Sequence, residues 1–379
     1  MAEESTRQPS PDLADVYPDS GTKATPALGS IITENIKKSG PMPFSRFMAL
    51  ALYHPELGYY SSDRKKTGKQ GDFITSVSVG SCFGSILARR LHCYWLESGK
   101  PADFQIIEPG AHDGTLANDI LSEANKISKD YYQAIHYHLI EVSKELRCLQ
   151  QSTLTKNHKD KFSTQAAMEG IQVRNGAIIS NELIDAFPVE LIKYNDKKWL
   201  SQMVSLDEEG QFTLATDEIE TDEIQVFFDD LGNHYPDGYT TEYNIGMTDF
   251  VRDASRSIES GLFLTIDYGH LQSDYYHPDR STGTLQTYQA HQKAENPLQS
   301  PGELDITAHV DFTRLQKTAE QAGFHSPWFG TQARYLTEHA REWLLSMEGT
   351  ANTEMIRQFQ TLTHPSMLGT RFSVLEMRK

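Results

Sequence analysis

The sequence predicts an α/β fold: an open, largely parallel sheet covered by helices and preceded by a mostly helical segment. Three observations carry this. Phe104 to Leu116 (FQIIEPGAHDGTL) runs from a short apolar stretch through Glu108 into a turn holding Gly110 and Gly114, and a helix follows. From Phe104 onward, apolar runs of strand length alternate with segments of helical periodicity. Successive strands also end in polar or acidic residues: Glu108, Glu141, Asn181 with Glu182, and Asp267. Open α/β sheets bind ligands at that edge, so these positions are expected to converge on one crevice.

The elements follow in order. Residues 1–25 are rich in Pro, Ser and Asp without periodicity and read as a disordered arm. Leu28, Ile31, Ile32 and Ile36 mark a helix that ends near Gly40-Pro41. A second helix is expected from Phe44 to Tyr53, stopped by His54-Pro55. Glycines and basic residues then make a mobile loop, and Phe83 to Leu96 reads as a further helix. Residues 26–100 are therefore read as a helical cap and 101–379 as the core.

Within the core, the helix Asn118 to Ile127 follows the glycine turn. Tyr137 to Ile140 is a strand, Leu146 and Leu149 mark a helix, and a weak strand is expected near Phe162. Ala177 to Ile179 is a strand running into NELIDAFPV. Trp199 to Thr216 reads as a hairpin around Glu209-Gly210, inside an insertion at about 195–245. Phe250 to Ile258 is helical and Leu262 to Ile266 is a buried strand. Residues 270–312 read as a long loop insertion. The helix Phe312 to Ala322 ends at Gly323, and strands near 327–332 and 371–377 close the chain.

Composition sets the bounds. A chain of 379 residues at 38% hydrophobic can bury a real core. No apolar run approaches the roughly 20 residues needed to cross a membrane. The first residues lack the basic and apolar regions of a leader, and their acids argue against a transit peptide. Cys82, Cys93 and Cys148 have no metal-ligand spacing and suggest a reduced, cytoplasmic protein with no metal site. A net charge of −17 disfavours nucleic acid as a partner and would favour a basic one.

The turn suggests which ligand. A dinucleotide fingerprint needs G-x-G-x-x-G and an acid about 20 residues on. Here the turn is Gly110-Ala111-His112-Asp113-Gly114, one glycine short, and Glu141 lies too far along. An acid just before the turn and another after the second strand suit S-adenosylmethionine better. Glu108 would face its cationic end and Glu141 its ribose diol. A dinucleotide oxidoreductase stays open as an alternative, as does a non-catalytic binding protein.

FMALALYHPELGYY (47–60), GDFITS (71–76), IIEPGAHDGTL (106–116), HLIEVSKELRCLQ (138–150), NELIDAFPV (181–189), IDYGH (266–270), GTLQ (283–286) and PGELDITAHVDF (301–312) occur in that order. Together they resemble the MidA-like class I methyltransferases, which include a mitochondrial protein arginine methyltransferase. The chain departs from the family pattern at Val77-Ser78, Pro109, His112 and Gln286. The resemblance implies a Rossmann-like methyltransferase sheet of about seven strands, the last strands antiparallel. It also implies S-adenosylmethionine as cofactor and a protein arginine as acceptor, a small-molecule acceptor being the alternative. A homodimer is left open.

The candidate cofactor-binding set is Gly71, Asp72, Thr75, Ser76, Glu108, Gly110, Gly114, Thr115, Glu141, Val142, Asn181 and Glu182. The candidate catalytic set is Glu182, Asp185, Asp267, Tyr268 and His309. A guanidinium arrives protonated, so carboxylates must orient it and draw its charge away from the attacking nitrogen. Glu182 and Asp185, three apart past a strand end, are the expected clamp, with His309 as late proton acceptor.

Overall fold

The computed structural model describes residues 27–61, 75–289, 292–347 and 352–379. Gly71, Asp72 and the residue 1–25 arm lie outside that range.

The main sheet contains β1 (Phe104–Pro109), β2 (Ile135–Ile140), β3 (Phe162–Gln165), β4 (Val173–Asn181), β5 (Ile258–His270), β6 (His325–Thr331) and β7 (Phe372–Arg378). Their order across the sheet is β6-β7-β5-β4-β1-β2-β3. β1 to β5 pair in parallel, and β7 pairs antiparallel with both β5 and β6. Off this row, Val310–Asp311 adds a short parallel pairing to the end of β5.

Both faces of the sheet are covered, so its central strands read as unbroken apolar runs. Alternation still sorts their side chains. Ile106, Ala177, Ile179, Leu262, Leu264 and Val374 enter one core with helices Cys82–Glu97 and Thr115–Ile127. Ile107, Ile178, Phe263 and Leu375 enter the other with helices Met247–Ser257 and Phe312–Gln321. The helix Cys82–Glu97, read as part of the cap, therefore packs on the sheet. Buried Arg90 fixes it to β7 through Glu376, with Nη2 to Oε1 at 2.6 Å.

Beside the main sheet, Val189–Asn195, Lys198–Leu206, Phe212–Asp217 and Thr240–Asn244 form an antiparallel sheet that also takes in Met42–Pro43. The expected hairpin at Trp199–Thr216 is the middle of this larger unit. Helices Leu28–Ser39 and Phe44–Tyr53 pack their apolar faces on it and on Leu304, Ile306 and Ala308. The stretch 270–312, read as loop, contains a small sheet of Gln286–Gln289, Gln292–Ala294 and Asp305–Thr307. Between β6 and β7 stand three helices absent from the sequence reading: Gln332–His339, Arg341–Ser346 and Thr353–Thr363. Among the described residues, no helix is long and apolar enough to cross a membrane.

Candidate active site

The order of strands reverses between β1 and β4, so a crevice opens outside their carboxyl ends. Glu108 and Glu141 share that rim. Glu108, 4% exposed, accepts the Tyr137 hydroxyl at 2.7 Å. Burial pushes its carboxyl up to about 8, with Asp113 and Glu141 adding to the rise. Glu141 follows β2 and accepts the N–H groups of His112 at 3.1 Å and Ser143 at 3.0 Å. Burial raises it as well.

The turn itself is held from within. Gly110 and Ala111 donate their N–H groups to the Ile140 carbonyl at 2.9 and 3.1 Å, and Thr115 donates to Asp113 at 3.0 Å. These donors are committed to the turn, and the carboxylates are left at the rim. Such a rim suits a cation and a diol better than a pyrophosphate, which needs free N–H donors. Gly110 has φ +73°, and a Cβ there would lie 2.8 Å from Leu183 Cδ1. Gly114, at φ +80°, stands directly before the helix Thr115–Ile127. Asn181 Oδ1, at the end of β4, is buried without a hydrogen-bond partner, which leaves an acceptor unused beside the crevice. Val142, beside Glu141, is 66% exposed and leaves an apolar surface open at the rim. These residues fit S-adenosylmethionine.

Past β4 the chain turns sharply. Glu182 adopts φ +51°, unusual for a side chain of its size, and its N–H donates to the Ile266 carbonyl at 2.8 Å. Its Oε1 accepts the Asn181 amide at 3.0 Å and the Ser76 N–H at 3.3 Å. Burial pushes it up to about 8, and Asp267 contributes. Asp185 lies in the 3-10 turn Ile184–Ala186, 6% exposed. Burial raises its carboxyl well above the usual range, and the charges that add most are Asp267, Glu182 and Asp305.

Asp267, expected to be catalytic, is fully buried. Its Oδ2 accepts the N–H groups of Leu183, Ile184 and Asp185 at 3.1, 2.8 and 3.3 Å, and its Oδ1 accepts that of Tyr268 at 2.8 Å. This carboxylate shapes the turn that carries Glu182 and Asp185. Tyr268 packs on Phe372, with ring centres 4.3 Å apart, and lies near-parallel to His309 at 6.0 Å. Burial pushes His309 down to about 4, so the ring is neutral, and its Nδ1 lies 3.2 Å from His270 Nε2.

Thr75 closes a local turn with Ser78, and Ser76 is turned toward Glu182 and Gln332. Residues without a role in the sequence reading also reach this site. The Tyr53 hydroxyl donates to the Ala186 carbonyl at 2.8 Å, and Tyr60 donates to Asp305 at 3.0 Å. The Tyr53 and Tyr60 rings stack with centres 5.4 Å apart. The polar hydroxyls on these cap aromatics were the available signal.

The strand order and the rim of acids define a class I S-adenosylmethionine-dependent methyltransferase. A family model for S-adenosyl-L-methionine-dependent methyltransferases matches residues 86–330, and the chain belongs to that family. A Drosophila melanogaster mitochondrial protein, named as a homolog of the protein arginine methyltransferase NDUFAF7, is 29% identical over 95% of this chain and 87% of its own. Human NDUFAF7, named a mitochondrial protein arginine methyltransferase, is 27% identical over 92% of this chain and 82% of its own. A Burkholderia thailandensis protein solved with S-adenosyl-homocysteine superposes with a TM-score of 0.82 at 27% identity, covering 93% of this chain and 92% of that one. The expectation of a cytoplasmic protein is corrected by these relatives, which are named as mitochondrial.

Proposed function

We propose that this methyltransferase modifies an arginine side chain of a protein acceptor. The observation that carries the proposal is the buried Asp185, whose strongest charged neighbours are the carboxylates of Asp267, Glu182 and Asp305. Buried carboxylates that raise one another are relieved by a cation. A guanidinium is a planar one with several N–H donors. The names of the curated relatives support the same acceptor.

Bound at the rim, S-adenosylmethionine supplies a methyl group on a cationic sulfur, which leaves with the bond's electron pair. Glu141 would accept its ribose hydroxyls, Glu108 and Asn181 would face its cationic end, and Val142 would contact the base. Gly110, Gly114 and Thr115 keep the turn close to the cofactor. Glu182 and Asp185 hold the guanidinium and draw its charge away from the attacking nitrogen. Asp267 holds their turn in shape, and Tyr268 lines the approach. The proton released from the nitrogen passes to Glu182, whose carboxyl burial raises to about 8 and which is the stronger base, while burial keeps His309 neutral beside His270.

The test is incubation of the purified protein with labelled S-adenosylmethionine and an extract of cells lacking it. Label in protein, located by mass spectrometry on arginine, is expected. Label confined to small molecules, or on other side chains, would overturn the assignment.

A further inference from the structure

The helical insertion between β6 and β7 makes a chain of hydrogen bonds to Glu182 that the mechanism above does not use. Gln332, fully buried, is the first residue of the helix Gln332–His339. Its Nε2 donates to the Leu362 carbonyl at 3.1 Å, on the helix Thr353–Thr363. Its Oε1 accepts the Ser76 hydroxyl at 2.8 Å, and Ser76 is also fully buried. The Ser76 N–H then reaches Glu182 Oε1 at 3.3 Å. A second tie fastens the same segment to the same insertion: Gln358 Oε1 accepts the Cys82 N–H at 3.1 Å. Gly80 sits so close to Gln358 that a Cβ there would fall 2.4 Å from its side chain.

A side-chain amide buried this completely is costly unless both of its polar ends are satisfied. Gln332 satisfies both, and each bond joins a different segment. An apolar residue would fill the same volume without that cost, so packing alone does not account for glutamine here. The bonds do account for it: they fix where the Ser76 N–H stands relative to one carboxylate.

We propose that Gln332 is a positioning residue for methyl transfer, acting through Ser76 on Glu182. It rests on the role proposed for Glu182. The Ser76 N–H favours the ionised form of that carboxylate, against burial and the nearby Asp267, and the charge on Glu182 in turn raises Asp185 and Tyr268. Loosening Ser76 leaves Glu182 protonated to higher pH and less firmly aimed. Gln332, fully buried, thereby acts on the acceptor site through Ser76.

The test compares Ser76→Ala, Gln332→Met, the double variant and Glu182→Gln with the full-length wild type. Initial rates of label transfer from S-adenosylmethionine to extract protein are measured at saturating cofactor across pH 6 to 10. Calorimetry gives the Kd for S-adenosylhomocysteine. Each single variant is expected to slow transfer by about 5- to 20-fold, the scale of one lost hydrogen bond and its unpaired partner. Each should move the acid limb upward and leave the Kd within about twofold. The double variant should be no slower than the slower single, because both changes break one path. Wild-type rate and acid limb in Ser76→Ala, with Glu182→Gln inactive, would overturn the relay alone. Multiplicative losses in the double variant would do the same. Wild-type rates in Glu182→Gln would instead end the role of Glu182, and the relay with it. Should Gln332→Met fail to fold, Ser76→Ala decides.

Discussion

Replacing Glu141 by alanine probes the cofactor rim most quantitatively. Its two carboxylate oxygens each accept one N–H, from His112 and Ser143, and each keeps a free lone pair for a ribose hydroxyl. The substitution removes the ribose acceptors and one tie that holds the glycine turn. The first loss is a charge-assisted pair worth about 1.5–3 kcal/mol, or about 10- to 150-fold in Kd. The turn keeps its other ties, from Gly110 and Ala111 to Ile140 and from Gln150 Nε2 to the His112 carbonyl. Folding is therefore expected to survive. Titration calorimetry with S-adenosylhomocysteine measures the change directly. Glu141→Gln should fall between wild type and Glu141→Ala, since one acceptor oxygen remains. A Kd for Glu141→Ala within about twofold of wild type would refute the ribose assignment.

Three further outcomes are expected. Gly110→Ala puts a side chain in left-handed backbone and a Cβ 2.8 Å from Leu183 Cδ1, so it should lower stability by about 1–2 kcal/mol and weaken cofactor binding. Chemical denaturation and calorimetry check both effects, and an unchanged midpoint and Kd would contradict them. Transfer should accelerate as pH rises through about 8, because Glu182 is protonated below that value and must be ionised to hold a guanidinium. A rate that falls over the same range would contradict this. Glu108 and Glu182 also have folded values raised above their ordinary ones. The stability they contribute is fully present below the ordinary carboxylate range and is lost as pH rises through about 8. The melting temperature of the ligand-free protein should fall over that window, by less in Glu182→Gln.

Much of the main sheet was legible because its strands are buried on both faces. Ala177-Ile178-Ile179 and Leu262 to Ile266 then read as apolar runs, and the acids that end them stand out. The helix Phe44–Tyr53 was legible from its apolar spacing and its Pro55 stop. The short helices after β6 were not, since Trp343 and Leu362 are the only buried residues of their respective helices. Nor could the sequence pair Met42–Pro43 with Met203 and Val204, a contact set by tertiary packing. At the crevice, Glu108 near the end of its strand and Glu141 and Glu182 just past theirs could be placed on one edge from the sequence. Asp267 looked the same in sequence, yet the backbone around Leu183 to Asp185 takes up its carboxylate. Ser76 and Gln332 carry no local pattern that joins them, and His270 meets His309 only through folding.

The role proposed for Glu182 is in transfer and not in holding the cofactor. With cofactor bound beforehand at saturation, single-turnover methyl transfer by Glu182→Gln should be about 100-fold slower than wild type or worse. Transfer at the wild-type rate would contradict it.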